Sequence, residues 1–164
     1  MTRLTQKELE LFAQKVLEDY DAKNPSAIFN DKIKISNADA LNIQSEVSKL
    51  REKRGEEVIG YKIGCVSKET QKKMGFAQPA YGRLWNKELH ANGVNLNKKN
   101  YTNPAMEAEF GIKLNCDLNP NLIFCGDAPH GAELLANNAI HAGVILGPEN
   151  KIPKNNITTD LKLI

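Results

Sequence analysis

The stretch VIGYKIGCV, residues 58–66, decides the fold. Upstream of it apolar residues recur every three or four positions. Within it they alternate and β-branched residues dominate, the signature of a strand. Successive strand side chains point to opposite faces. Ile59, Tyr61, Ile63 and Cys65 therefore share one face, and Val58, Gly60, Lys62 and Gly64 share the other. Lys62 has a glycine two positions away on each side, which leaves a groove around its ammonium. Glycine inside a strand marks close approach by a ligand or a backbone. A lysine so placed binds a carboxylate, polarises a carbonyl or relays a proton. The same pattern also suits a surface lysine on a twisted edge strand.

Working upstream, residues 5–24 read as an amphipathic helix. Thr5 and Glu8 open it as a capping box, Leu9, Phe12, Ala13, Val16, Leu17 and Tyr20 make its apolar stripe, and Asn24-Pro25 stops it. A short strand-like run is expected at 32–35. Ser36 to Asp39 offers a second cap, and Ala40, Ile43, Val47 and Leu50 carry a second stripe. Arg51, Lys53 and Arg54 fall in the last turn, where cations suit the helix dipole, and Gly55 ends the helix. These two helices form an N-terminal helical unit over residues 1–55.

Working downstream, Ser67 and Gly75 bracket a short helix. Extended pieces are expected at 81–85, 93–96 and 141–146, and residues 106–114 (MEAEFGIKL) read as the cleanest strand in the chain. Residues 149–164 read as a polar tail. Helices followed by short strands make an α+β chain rather than alternating βαβ units.

In MEAEFGIKL, alternation sets Met106, Ala108, Phe110, Ile112 and Leu114 toward a core and Glu107, Glu109, Gly111 and Lys113 away from it. Two carboxylates at i and i+2 then lie within reach of one cation, and hard oxygen donors select Mg²⁺, Mn²⁺ or Ca²⁺. An exposed strand face carries the same pattern without a ligand.

The chain has 164 residues, of which 41% are hydrophobic and 26% charged, and a net charge of +2. That excludes collagen-like, disulfide-scaffold and wholly disordered chains. The near-balanced charge and 6% aromatics argue against a dedicated nucleic-acid binder. Cys65, Cys116 and Cys125 form no C-x-x-C pair, and His90, His130 and His141 share no metal-ligand spacing. No G-x-G-x-x-G or P-loop is present. Residues 1–15 lack the apolar run of a signal peptide, and no stretch approaches the ~18 apolar residues of a membrane span. A cytoplasmic protein with no membrane partner is the expectation.

The run GYKIGCVSKETQKKMGFAQPAYGRLW (60–85), followed by PAMEAEFGIKL (104–114), resembles the 2-oxopent-4-enoate (2-keto-4-pentenoate) hydratases and the related 4-oxalocrotonate decarboxylases of the fumarylacetoacetate hydrolase superfamily. Residues 38–58 and 133–148 fit the same pattern. The resemblance implies an N-terminal helical unit on a mixed β-roll spanning 56–148. It implies Mg²⁺ or Mn²⁺ on Glu107 and Glu109, Lys62 as the catalytic residue, and Lys62, Ser67 and Tyr81 at the substrate. The substrate would be a small 2-oxo or 2-hydroxy dienoic acid, and the reaction addition of water to give a 4-hydroxy-2-oxo acid. Decarboxylation or acylpyruvate hydrolysis on the same scaffold are the alternatives, and a homo-oligomer is expected.

The resemblance breaks at three places. Ala80 stands where the family has an acid between the proline and aromatic residue of the P-x-Y-G turn. The segment that would carry a third metal-binding acid is shortened, with Glu133 and Asp127 as substitutes. The chain also stops soon after VILGP, so it reads as a truncated, incompletely closed roll with exposed strand edges, and an impaired homologue is a further expectation.

Overall fold

The computed structural model describes residues 3–24, 34–101, 104–107, 109, 111, 132–140 without the side chains of 133 and 140, and 142–148. Helix α1 (Gln6–Asp21) starts at the capping box foreseen from its sequence. The Glu8 amide donates to Thr5 Oγ1 at 3.3 Å and the Thr5 amide to Glu8 Oε2 at 2.8 Å. Helix α2 (Asn37–Lys53) has Ser36 as N-cap and Arg54 as C-cap. Gly55 follows at φ +83°, a left-handed turn that glycine adopts without strain.

Strand β1 (Val58–Gly64) is shorter than expected because Cys65 takes φ +55° and turns the chain out of the ladder. Helix α3 (Lys68–Met74) lies between Ser67 as N-cap and Gly75 as a left-handed C-cap. Strand β2 (Ala80–Trp85) pairs antiparallel with β1, placing Lys62 opposite Gly82 and Ile63 opposite Tyr81, with an irregularity between Val58 and Gly60. A 3₁₀ turn (Asn86–Glu88) leads into β3 (Leu89–Ala91), which pairs parallel with β4 (Val144–Leu146). Helix α4 (Ala132–Ala136) is followed by a 3₁₀ turn (Asn138–Ile140).

One apolar core joins the helices to the strands. Leu9, Ala13 and Val16 of α1, Ala40 and Ile43 of α2, Phe76, Ala80, and Ala132 and Leu135 of α4 are all buried in it. The outer edge of β2 is closed by a side chain. Asn138 Oδ1 accepts from the Arg83 amide at 2.5 Å, and its Nδ2 donates to the Arg83 carbonyl at 2.8 Å. This mimics a strand partner and removes an open edge. Residue 82 has to be glycine there, since a Cβ would collide with the Asn138 carbonyl.

The architecture is α+β, as expected, but several elements differ. The sheets are two separate two-stranded ribbons, with no closed roll among the described residues. The described residues of 106–114, namely 106, 107, 109 and 111, form no strand, and Met106 is 87% exposed rather than buried. Alternation fixes which side chains share a face, but a strand also needs a ladder partner, and this stretch has none among the described residues. The expected piece at 93–96 is replaced by β3 upstream, because Gly93 turns the chain at φ +80°. Residues 34–35 are not strand, and the last strand begins at Val144. Residues 32–33, 141 and the 149–164 tail lie outside the described residues, as do Cys116, Cys125, His130, Asp127 and the Glu133 side chain. No described helix is long and apolar enough to cross a membrane.

Candidate metal and substrate site

The β1–β2 register positions the candidate lysine. Lys62 projects from a face on which its strand neighbours are Gly60 and Gly64 and its cross-strand partner is Gly82. The groove is one-sided. A Cβ at Gly64 would meet nothing within 4 Å, whereas at Gly60 it would sit 3.4 Å from Leu84 Cδ1.

From this face Lys62 Nζ donates to Glu107 Oε2 at 3.3 Å, uniting residues 45 apart in the chain. The lysine side chain is 28% exposed and the glutamate 68%. An ion pair so exposed contributes only about 0–1 kcal/mol to stability. It is not a structural pin, and either partner can exchange the other for a ligand at little cost. Glu109 is exposed on the same segment.

Tyr81 is half-buried, but the register sends it from the opposite face of the ladder, since it pairs with Ile63 and not with Lys62. Its ring lies 6.4 Å from that of Tyr61, tilted by 57°. Ser67 caps α3. Its Oγ accepts from the Thr70 amide at 3.1 Å and donates to Thr70 Oγ1 at 2.8 Å, leaving one acceptor lone pair. The structure thus brings Lys62 and Glu107 together and does not gather Tyr81 onto their face. Ala80 is 1% exposed and belongs to the core, so a carboxylate there would have to be buried or displace the strand.

Among the described residues no group of three or more His, Cys, Asp or Glu side chains could hold a metal. The donors present are two exposed carboxylates. Mg²⁺ is commonly held by one or two carboxylates with water and substrate oxygens completing its shell. Glu107 and Glu109 fit that requirement in chemistry and number.

Other polar residues organise the surroundings and carried no sequence motif. Gln44 is 2% exposed. Its Nε2 donates to the carbonyls of Leu135 at 2.7 Å and Tyr81 at 3.1 Å, while its Oε1 accepts from Arg83 Nη1 at 2.6 Å. One amide thus ties α2 to both α4 and β2. Gln44, Ser48 and Arg51 are all buried, so α2 presents a polar stripe inward beside its apolar one. Their spacing of four and three was the available signal. Cys65, at the end of β1, has its thiol pushed up by burial, against the opposing charge of Lys62.

No family model matches the chain. It is similar to 2-keto-4-pentenoate hydratase of Burkholderia vietnamiensis, 35% identical over 79 residues, covering 48% of this chain and 30% of that protein. It is 37% identical over 82 residues to 2-hydroxyhexa-2,4-dienoate hydratase of Comamonas testosteroni, covering 49% and 31%. Among solved structures it resembles 4-oxalocrotonate decarboxylase from Pseudomonas putida G7 complexed with magnesium and adipate. That match has a TM-score of 0.50 and 26% identity over 56% of this chain and 36% of the other. The matched stretch spans about a third of the length of these relatives. Over that stretch the chain is similar to 2-keto-4-pentenoate hydratases and 4-oxalocrotonate decarboxylases.

Proposed function

We propose that Lys62, Glu107 and Glu109 form the working part of a site that adds water to a small 2-hydroxy-2,4-dienoic acid with the help of Mg²⁺ or Mn²⁺. The observation that carries this reading is the Lys62–Glu107 contact at 3.3 Å, on a glycine-lined face and too exposed to serve stability. Similarity to hydratases of 2-keto-4-pentenoate and 2-hydroxyhexa-2,4-dienoate supports the substrate class. Glu107 and Glu109 would hold the cation. When bound, it supplies Lewis-acid stabilisation to negative charge on the 2-oxygen of the substrate.

Lys62 gives up Glu107 and takes the substrate carboxylate or 2-oxygen, which fixes the acid in the groove open at Gly64. As the dienol ketonises, the 2-hydroxyl loses a proton and C5 gains one. Water oxygen then bonds to C4, the electron pair of the C3–C4 double bond shifts toward the carbonyl, and C3 takes a proton, leaving a 4-hydroxy-2-oxo acid. The Lys62 ammonium steadies the oxygen on which charge develops. Ser67, with one lone pair beyond its capping role, would accept from the 2-hydroxyl of the substrate. Tyr81 would enter only from the far side of the ladder.

The test is loss of dienoate absorbance on incubation with Mn²⁺ and 2-hydroxypenta-2,4-dienoate. Turnover by the wild type and none by Glu107→Ala/Glu109→Ala is expected. Equal rates for the two would remove the reading. Similarity to 4-oxalocrotonate decarboxylases favours decarboxylation as the second reading, and product mass separates gain of water from loss of CO₂.

A further inference from the structure

One end of the helix pair is joined to the strands by charge rather than by apolar contact. Tyr20 and Asp21 close α1, Arg51 and Arg54 lie at the end of α2, Trp85 closes β2, and Glu88 sits in the following turn. The Arg51 guanidinium lies between two rings, 4.9 Å from the centroid of Tyr20 and 4.4 Å from that of Trp85. It donates to Glu56 Oε2 at 2.8 and 2.5 Å and to Glu88 Oε1 at 2.6 Å. The Tyr20 hydroxyl donates to the same Glu88 oxygen at 2.5 Å. Arg54 pairs with the other Glu56 oxygen and with Asp21 Oδ2 at 2.7 Å. Lys87 completes the rim of the shallow depression above this cluster. Arg51, Glu56 and Glu88 are 4%, 7% and 5% exposed. The apolar core of Leu9, Ala13, Ile43 and Leu135 contains none of these groups.

We propose that this cluster is an acid-released latch: protonation of Glu56 removes the acceptor shared by Arg51 and Arg54, and the ends of α1 and α2 part from Trp85 while the apolar core stays docked. The proposal is independent of the chemistry assigned to Lys62. Three acids face the cluster, namely Glu56 and Glu88 from the strand side and Asp21 from α1. The cations facing them are Arg51 and Arg54 from α2 and Lys87 from the turn. Protonating Glu56 takes the shared negative charge from Arg51, which is buried, and from Arg54, which is exposed at the rim. Burial alone would raise Glu56, but the hydrogen bonds and charges of Arg51 and Arg54 outweigh it and hold its carboxyl below the usual range. Burial, with the hydrogen bond to Glu88, pushes the Tyr20 hydroxyl up, so it stays protonated throughout. Because the folded-state value of Glu56 is depressed, its contribution is complete above the ordinary glutamate value of about 4.3. That contribution disappears as pH falls through the lower native value.

Trp85 is the one tryptophan in the chain and is 2% exposed, so its emission reports the latch. The full chain is titrated from about pH 7 to about pH 2.5 with tryptophan emission and far-UV circular dichroism read in parallel. Emission is expected to shift to the red at a higher pH than that at which helical signal is lost. Glu56→Gln is expected to emit at pH 7 like the acid form and to show no further shift before unfolding. Should that variant not fold, amide exchange of the wild type stands in: on acidification the Asn86 amide, bonded to Glu57, loses protection before the amides of α2 around Ile43. Emission and helical signal falling in one joint transition, equal loss of protection at both places, or wild-type emission from Glu56→Gln would each overturn the latch.

Discussion

Replacing Gln44 with leucine keeps the approximate volume of the side chain and deletes its amide. Three groups then lose a partner: the Leu135 carbonyl, the Tyr81 carbonyl and the Arg83 guanidinium. A buried polar group left unsatisfied costs about 1–3 kcal/mol. The Leu135 bond is wholly buried and takes the middle of that range, about 2 kcal/mol. Tyr81 and Arg83 are half-buried and can recruit water, so together they add about 1 kcal/mol. The sum, about 3 kcal/mol, corresponds to a drop in Tm of about 6–12 °C for a chain of this size. Urea unfolding at pH 7 measures it, the midpoint falling while the slope stays that of the wild type. A loss below about 1 kcal/mol would mean that the amide is not the tie between α2, α4 and β2, and the reasoning would fail.

Other substitutions probe separate parts of the fold. Arg51→Ala strips the counter-charge from buried Glu56 and Glu88 and should cost about 3–5 kcal/mol. Arg51→Lys should recover little of this in thermal melts, because an ammonium can neither stack between two rings nor fork to two carboxylates. Gly82→Ala forces the Asn138 carbonyl away and should speed exchange of the Arg83 amide, which Asn138 Oδ1 now holds. Thr5→Ala removes the capping box of α1 and should cost about 1 kcal/mol by urea titration.

The helices were legible because their signals are local. Thr5 with Glu8 and Ser36 with Asp39 each mark a helix start within one turn of chain, and Ser67 and Gly75 mark the two ends of α3. Strand β1 was legible from alternation, and its end was not, because the left-handed turn at Cys65 has no sequence marker like a glycine. The described residues 106, 107, 109 and 111 show the limit of alternation, which says which side chains share a face and not whether a neighbouring backbone is there to pair. Arg51 read as a partner of the helix dipole, while its buried role depends on Tyr20, Trp85 and Glu88, which lie far away in sequence. Lys62 and Glu107 were singled out from separate strand patterns, and their contact is a tertiary fact that neither pattern contains. The opposite placement of Tyr81 follows from cross-strand register, which a single strand cannot reveal.

The most direct test of the proposed site is Mn²⁺ binding, followed by the loss of the free-ion electron paramagnetic resonance signal as the chain is added. The account predicts that the wild-type chain depletes the signal, that Glu107→Ala/Glu109→Ala does not, and that Lys62→Ala, which frees a Glu107 oxygen, still does. Depletion by the double variant equal to that of the wild type would place the cation elsewhere and contradict the account.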